Sequence, residues 1–428
     1  MSLPKYEKYK AAPAEWISEV PSHWGVTRLR FLCKIVTGSR DTVNAIDGGS
    51  YPFFVRSQSI ERIDTYALNC EAVLTAGDGV GVGKVFHYYN GPFDFHQRVY
   101  AFTNFNGING RFFFHYLKEN FAKVALDGNA KSTVDSLRMP VIANFHICVP
   151  PLREQSAIVV FLDRETAKID ALVDEQKRLI ELLKEKRQAV ISHAVTKGLD
   201  PNAPIKDSGV EWLGQVPEHW GVTTIRRVAK SVQTGTTPSS EIASPEFHDG
   251  IPWYTPGDFQ GTLRLSSSAK FVSKAIISRR EARLFPCGSV LLVGIGATLG
   301  KVGYIKFASS ANQQINCIVP TDDVDGYHLA YALSSLSECM KVLSNASTIG
   351  ILNQEKTKDV SLVLPPLAEQ VQITAHLDLR LREFDDLIEH AERAVELLQE
   401  RRSALISAAI TGKIDVRGIA AEIAEAAA

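Results

Sequence analysis

Glu15-Trp-Ile-Ser-Glu-Val-Pro-Ser-His-Trp-Gly-Val-Thr27 returns further along the chain as Glu211-Trp-Leu-Gly-Gln-Val-Pro-Glu-His-Trp-Gly-Val-Thr223, with nine of thirteen positions identical at an offset of 196. A second pair follows, Pro150-Pro-Leu-Arg-Glu-Gln-Ser-Ala-Ile158 and Pro365-Pro-Leu-Ala-Glu-Gln-Val-Gln-Ile373, now offset by 215. Lys186-Arg-Gln-Ala-Val-Ile-Ser192 and Arg401-Arg-Ser-Ala-Leu-Ile-Ser407 make a third. Weaker echoes lie between them, Gly83-Lys-Val85 with Gly300-Lys-Val302 and Gln97 with Gln313. The growth of the offset by 19 places insertions in the second copy, at 236–247 and 261–285. Self-similarity on this scale divides the chain into two tandem units.

Each unit opens with a mixed segment of short strands, glycine turns and one or two helices. Tyr51–Arg56, Ser289–Val293 and Gln314–Val319 read as strands, and Arg111–Leu117, Tyr327–Ser334 and 335–343 as helices. The run Phe112-Phe-Phe-His-Tyr116 reads as core. Each unit then continues, after a Pro-Pro pair, into a stretch free of proline, as a long helix requires. Leu162, Ile169, Gln176, Leu183 and Val190 are spaced by sevens, with Leu172, Val173, Leu179 and Ile180 filling the second seam. Their counterparts are Leu377, Phe384, Ala391, Leu398 and Leu405, with Leu387, Ile388, Ala394 and Val395. Sustained heptads with charged flanks predict a coiled coil. A second helix packing on the first along matching heptads must run antiparallel to it. The expected fold class is α+β: two mixed α/β domains joined by two long helices in an antiparallel coiled coil, a pseudo-twofold dumbbell. The boundaries are 1–150 and 201–365 for the domains, 151–200 and 366–415 for the helices, and 416–428 for a tail whose Ile419–Ala428 is expected to be frayed.

Among 428 residues, 47 Lys and Arg face 48 Asp and Glu, a balance that argues against bulk-charge coating of nucleic acid or membrane. No apolar run approaches the ~18 residues of a spanning helix, and the start lacks the apolar core of a signal peptide. Six scattered cysteines without a CxxC pair fit reduced thiols in a cytosol and read as packing residues. Phosphate-loop chemistry fails at both Gly-Lys elements: Val85 and Val302 stand where Ser or Thr must hold magnesium, and Asp78 and Ile295 stand at the upstream glycine position. Leu299 occupies the third glycine position of a dinucleotide pattern, so these glycines read as tight turns. HExxH, GxSxG and the Asp/Asn-Pro-Pro-Tyr signature of amino-methyltransferases are missing. His23 and His219, locked in the repeated Pro-x-His-Trp, read as buried hydrogen-bonded supports. No catalytic residue and no metal ligand is expected.

The tandem arrangement, the Pro-x-His-Trp entry, the Pro-Pro-Leu-x-Glu-Gln-x-x-Ile helix opening and the Arg-x-x-(Leu/Val)-Ile-Ser near its end resemble the specificity subunit of type I restriction-modification systems. The likeness covers nearly the whole chain. Lys197-Gly198 against Gly412-Lys413 is a small departure. The resemblance implies that each globular domain is a target recognition domain reading one half of a split double-stranded DNA site. It implies that the coiled coil spaces the domains and docks methyltransferase (M) subunits, with restriction (R) subunits as further partners, in the cytoplasm. It implies no cofactor in this chain, since the family's complexes use S-adenosylmethionine, ATP and magnesium through partner subunits. A coiled-coil scaffold with two ligand-binding domains and a nucleotide-dependent enzyme are the alternatives.

Charge resolved along the chain agrees in sign. Residues 1–150 hold 16 basic and 13 acidic groups and 206–365 hold 15 and 14, whereas 366–428 hold 7 and 12. Weakly basic readers are thus offset by an acidic second helix. Polar or basic residues at turns beside glycines are the expected DNA contacts. In the first unit these are Thr37, Ser39, Arg40, Arg56, Gln58, Lys84, Gln97, Arg98, Lys131 and Ser132. The second offers Thr234, Thr236, Tyr254, Asp258, Lys301, Gln313, Gln314, Ser347 and Thr348. The expected coiled-coil seam is Leu162, Ile169, Leu172, Leu179, Leu183 and Val190 with Leu377, Phe384, Leu387, Val395, Leu398 and Leu405.

Overall fold

A computed structural model describes residues 3–14, 17–122, 137–238, 250–344 and 350–427. The chain forms two compact units, one from the stretches up to Lys177 and from Glu392 onward, the other from Arg178–Ala391.

The first unit begins with an antiparallel hairpin of β1 (Tyr9–Ala14) and β2 (Ile17–Pro21), followed by β3 (Gly25–Arg28). Next come β4 (Lys34–Thr37), β5 (Tyr51–Phe54), β6 (Ile60–Ile63), β7 (Leu68–Ala76), β8 (Phe86–Phe95) and β9 (Val99–Thr103), in a six-stranded sheet of order β4-β9-β7-β8-β5-β6. Strand β8 pairs with β7 through Phe93 and with β5 through Asp94 and Phe95. Helix Gly110–Asn120 covers the sheet, and β10 (His146–Val149) closes the domain against β3. Phe112, Phe113 and Tyr116 are fully buried, as the aromatic run predicts, whereas Phe114 and His115 are half-buried.

The second unit repeats this plan. Its hairpin is β11 (Ile205–Asp207) with β12 (Gln215–Pro217), and β13 (Gly221–Thr224) pairs with β22 (Ser361–Leu364). Between them lie β14 (Ala229–Thr234), β15 (Ile251–Tyr254), β16 (Arg264–Leu265), β17 (Phe271–Val272), β18 (Val290–Val293), β19 (Val302–Ile305), β20 (Ser310–Ala311) and β21 (Ile315–Pro320). They form sheets β14-β21-β18-β19-β16 and β17-β15-β20. The counterpart of β8 is split into β19 and β20. Strand β17 pairs with β15 as β6 pairs with β5, so within 261–285 the elements with no counterpart in the first unit are β16 and helix Lys274–Ser278.

Two long helices, Leu152–Lys197 and Leu367–Ile410, follow the Pro-Pro pairs. In the first unit Asp170 accepts from Arg402 Nε at 2.8 Å, and Ile158, Phe161 and Leu162 share a core with Ile406, Ala409 and Ile410, so the two helices run antiparallel there. In the second unit the repeated pair Arg187–Asp385 closes at 3.1 Å, and Ile191 and Val195 pack with Ile373 and Leu377. The heptad seam holds at Leu162, Ile169, Leu377 and Phe384, which are buried, while Leu183, Val190, Val395, Leu398 and Leu405 are half-buried. It fails at Leu172, Leu179 and Leu387, which face solvent, with Val173 and Ile180 taking the buried places. A strict seven-residue count drifts ~20° per heptad on a 3.6-residue helix. Each helix here also turns a face toward its globular domain, which rotates the buried stripe off the counted one.

The repeated motifs meet at one joint in each unit. Glu154 accepts from His23 Nε2 at 2.8 Å, from Trp24 Nε1 at 3.0 Å and from the Tyr6 hydroxyl. Glu369 accepts from His219 Nε2 at 2.9 Å and Trp220 Nε1 at 3.1 Å. The histidines are bonded as expected but not buried: the tryptophans fill the core, and the imidazoles stay 40% and 52% exposed. Gln155 and Gln370 reach back to the Pro150 and Pro365 carbonyls and accept from the backbone of the helix caps Asn109 and Asp325. Gly198 lies against Trp220 and Gly412 against Trp24, so the shifted Lys-Gly order is a one-residue difference at equivalent places.

The tail is a correction. Arg417–Ala427 is helical, with Ile419 and Ile423 packed on the first unit's core. Asp415 N donates to the Pro4 carbonyl at 2.8 Å and the Tyr9 hydroxyl to the Gly412 carbonyl at 3.2 Å. The Arg417 guanidinium holds the Asp415 carboxyl below its usual range. Cys148 and Cys317 are buried, and desolvation pushes their thiols up to about 11 and about 12, whereas Cys287 is exposed.

Replacing Glu154 by Ala strands the Trp24 and Tyr6 donors in the core, so urea unfolding should show a loss of about 2–4 kcal/mol. Glu369→Ala should cost less, because Glu369 is 27% exposed and water reaches its partner His219, leaving only the Trp220 donor stranded. The caps Asn109 and Asp325 align Phe112 with His328, which is fully buried with neither ring nitrogen hydrogen-bonded among the described residues. Burial lowers His328 to about 4, so the fold favours the neutral ring. Its contribution is complete above the unfolded value near 6.5 and is lost as pH falls from there toward 4. His328→Phe should raise the melting temperature at pH 5 and flatten the acid limb of a stability–pH curve.

Candidate nucleic-acid interface

Four loops converge in the first unit: the one after β4, the one after β5, the glycine loop after β7 and the β8–β9 turn. His96 N donates to the Phe54 carbonyl at 2.9 Å, Gly77 N to Arg98 O at 2.7 Å, and Gln97 N to Arg40 O at 2.8 Å. Two equivalent bonds build the second unit, Asn312 N to Tyr254 O at 3.0 Å and Gly294 N to Gln314 O at 2.8 Å, while its first loop is tied to the turn by a different bond in the reverse direction, Thr236 N to Ala311 O at 2.8 Å. Gly38 and Gly235 make the close approach possible, since a Cβ there would sit 1.9 Å from the Phe95 carbonyl and 2.2 Å from the Ala311 carbonyl. His96 and Asn312 have the same task. His96 Nδ1 accepts from Arg98 N at 2.9 Å, and Asn312 Oδ1 accepts from Gln314 N at 3.1 Å. Burial, reinforced by Arg56, lowers the His96 pKa, which keeps that nitrogen free to accept.

On this frame the first unit displays charge. Arg56 pairs with Asp78 at 3.0 Å, Arg98 approaches the other Asp78 oxygen at 3.7 Å, and Arg40 approaches the buried Asp94 at 3.5 Å. Gln97 Nε2 donates to Asp41 at 3.0 Å, and Gln58 Nε2 to the carbonyl of the exposed Lys84 at 3.0 Å. Thr37 and Ser39 are exposed on the first loop. Five predicted contacts, Arg40, Arg56, Gln58, Gln97 and Arg98, are therefore brought together, each guanidinium aimed by a carboxylate that leaves part of its donor edge open.

The second unit displays glutamines where the first has Gln97 and Arg98, with Lys301 as a cation beside them. Gln313 accepts from Thr237 Oγ1, Gln314 accepts from Asn312 Nδ2 at 3.0 Å, and Lys301 Nζ donates to Phe259 O at 3.1 Å. Thr234 and Thr236 serve the frame, bonding Asn316 and the Arg283 amide. Tyr254 and Asp258 are corrections. The Tyr254 ring is buried with its hydroxyl on Leu265 O, and Asp258 caps the insertion by accepting from Thr255 and Ala269. Both stand beside glycine or proline turns in the sequence, yet the inserted segment folds over them. Lys131, Ser132, Ser347 and Thr348 lie outside the described residues. Asp41, Asp78, His96, Thr237 and Asn312 were not singled out from sequence. The repeated Thr-Gly at 37–38 and 234–235, and the residue before each repeated Gln, were the available signals.

Among the described residues no set of His, Cys, Asp or Glu converges on a metal position, and no helix is long and apolar enough to cross a membrane. The arrangement is a surface of hydrogen-bonding side chains on a turn frame, present in both units. Residues 21–182 and 217–397 match the model of the type I restriction modification DNA specificity domain, and the chain belongs to that family. It is 23% identical over 415 residues to the type I restriction enzyme EcoDI specificity subunit of Escherichia coli, covering 92% of this chain and 90% of that one. A chain from a structure of the assembly and conformational transition of a type I R-M system superposes with a TM-score of 0.71 at 17% identity, over 92% of this chain and 99% of that chain. The HsdS subunit from Thermoanaerobacter tengcongensis gives 0.52 at 17% identity, over 92% and 98%.

Gly38→Ala should displace the β8–β9 turn and weaken DNA binding by the assembled complex at least ten-fold in a fluorescence-anisotropy titration, while the second unit's melting transition stays in place.

Proposed function

We propose that this chain is the non-catalytic, sequence-specific DNA-recognition subunit of a type I restriction-modification complex. Each unit's loop cluster reads one half of a bipartite duplex target, and the long helices fix the spacing of the readers. The observation that carries this reading is the four-loop frame, built twice on two shared backbone bonds with different side chains. Arg98 stands where Gln314 stands, on equivalent turns. Arginine suits guanine edges and Gln or Asn suits adenine, so the two units are fitted to different half-sites.

The 46- and 44-residue helices are about 69 and 66 Å long at 1.5 Å per residue, or about two turns of duplex. The outward Leu172, Leu179 and Leu387 offer apolar faces on which methyltransferase subunits dock, with restriction subunits joining that assembly. Methyl transfer and cleavage, with S-adenosylmethionine, ATP and magnesium, belong to those partners, in the cytoplasm where the chromosome lies. A near-neutral chain with locally basic readers grips DNA weakly by itself and relies on the partners for phosphate contacts.

Two experiments test this. With the methyltransferase partner supplied, exchange of residues 1–150 for those of another family member should change one half of the methylated-adenine motif and leave the other half intact. A change in both halves would refute the division of labour. Equal insertion of one or two helical turns into both long helices should lengthen the unread gap; an unchanged gap removes the ruler role. Failure of the reconstituted complex to shift any duplex would leave the scaffold reading.

A further inference from the structure

The glycine loop of each cluster carries one side chain of opposite character to the arginines and glutamines. Val80 is 91% exposed at the tip of the loop Asp78-Gly79-Val80-Gly81. The Gly77/Gly294 and Lys84/Lys301 equivalences set Ala297 in its place in the second unit, and Ala297 is exposed as well. Each follows a glycine with a left-handed backbone, Gly79 at φ 74° and Gly296 at φ 98°, a geometry that turns the next side chain outward. Neither tip is loosely placed. Asp78, two residues before Val80, is held by Arg56 and approached by Arg98, and a Cβ on Gly81 would lie 2.5 Å from the Arg56 carbonyl. Gly296 lies within 3.7 Å, measured from its ideal Cβ, of the Gln314 amide, and Gly294 bonds the Gln314 backbone.

Single exposed apolar residues are ordinary on protein surfaces. These two differ because the same loop presents them at the same place in both units, amid the hydrogen-bonding groups of each cluster. An aliphatic tip in such company has one partner on a base-pair edge, the thymine methyl, which is the only apolar group the major groove displays. Resting on the DNA-reading function proposed above, we infer that Val80 and Ala297 are specificity-determining residues that each pack on the 5-methyl group of a thymine, one in each half-site. The hydrogen-bonding residues around them read the neighbouring donor and acceptor positions.

The test uses the complex reconstituted with its methyltransferase and a duplex bearing its mapped target. Each thymine of the half-site read by the first unit is replaced in turn by deoxyuridine, which keeps pairing and removes only the methyl. One replacement should weaken binding about four-fold. Val80→Ala should weaken binding to the natural duplex by at least that factor and bind the critical deoxyuridine duplex no worse than the natural one. Val80→Thr, which keeps one γ-methyl, should retain part of the discrimination, and both variants should melt with the parent. Ala297→Gly should give the same pattern in the other half-site. Losses that simply add at every thymine, or a Val80→Ala protein indistinguishable from the parent, overturn the inference. If Arg98→Ala still alters the first half-site in that case, the reading of the loop clusters stands without it. If Arg56→Ala and Arg98→Ala are silent too, that reading falls as well.

Discussion

A carboxylate placed among aromatic rings must be supplied with donors, and the architecture of both units follows from how Glu154 and Glu369 obtain theirs. The glutamate sits in the first turn of a long helix, and its donors are the histidine and tryptophan of the entry motif. The next residue, Gln155 or Gln370, spends its amide on the preceding proline carbonyl and on the cap of the covering helix. Hairpin, long helix and covering helix are thereby fixed to one another at a single point. Gly412 and Gly198 bring the end of a long helix against the same tryptophans. With the scaffold anchored there, the loop clusters are free to differ.

That separation explains what could be read from sequence. The joint is made of side chains with no substitute, so its residues recur in both copies and announce the repeat, the helix starts and the two-domain plan. The seam of the helices was legible only in part. Leu172 and Leu179 have the spacing of core residues, but which leucines are buried depends on the globular face each helix meets. Gln97 and Arg98 are legible as polar groups of the converging loops because turns beside glycine carry such groups. Asp78 and His96 were missed because their work, aiming a guanidinium and capping a turn, has no local signature. Tyr254 was misjudged for the opposite reason: an insertion of β16 and its flanking turns covers it.

Where the copies diverge, the scaffold still shows common descent. Asp163 and Asp378 occupy the same position on the two long helices. Asp163 takes Arg111 at 2.9 Å, with His115 nearby at 3.8 Å, held neutral because burial lowers it to about 4. Asp378 takes the hydroxyls of Tyr327 and Tyr331, the counterparts of Arg111 and His115, and recruits Arg264 from the insertion as its cation. The guanidinium also lies 4.2 Å over the Tyr327 ring. One carboxylate thus tolerates two partner sets, provided a cation arrives from somewhere, and in the second unit the insertion delivers it.

The membership of the two units has a bearing on how the chain is made. Residues 178–391 form the second unit without interruption, whereas the first needs 392–428 to complete its core through Ile406, Ala409, Ile410 and Val416. During synthesis the later unit is therefore the earlier one to close. The first domain emerges from the ribosome earlier yet waits, with the apolar faces of Ile158, Phe161 and Leu162 uncovered, until residues 406–416 have been added. A nascent chain cut short just after residue 391 would keep a finished second unit and an unfinished first one. Such a product exposes a hydrophobic face, a target for chaperones and proteases before any partner could be engaged.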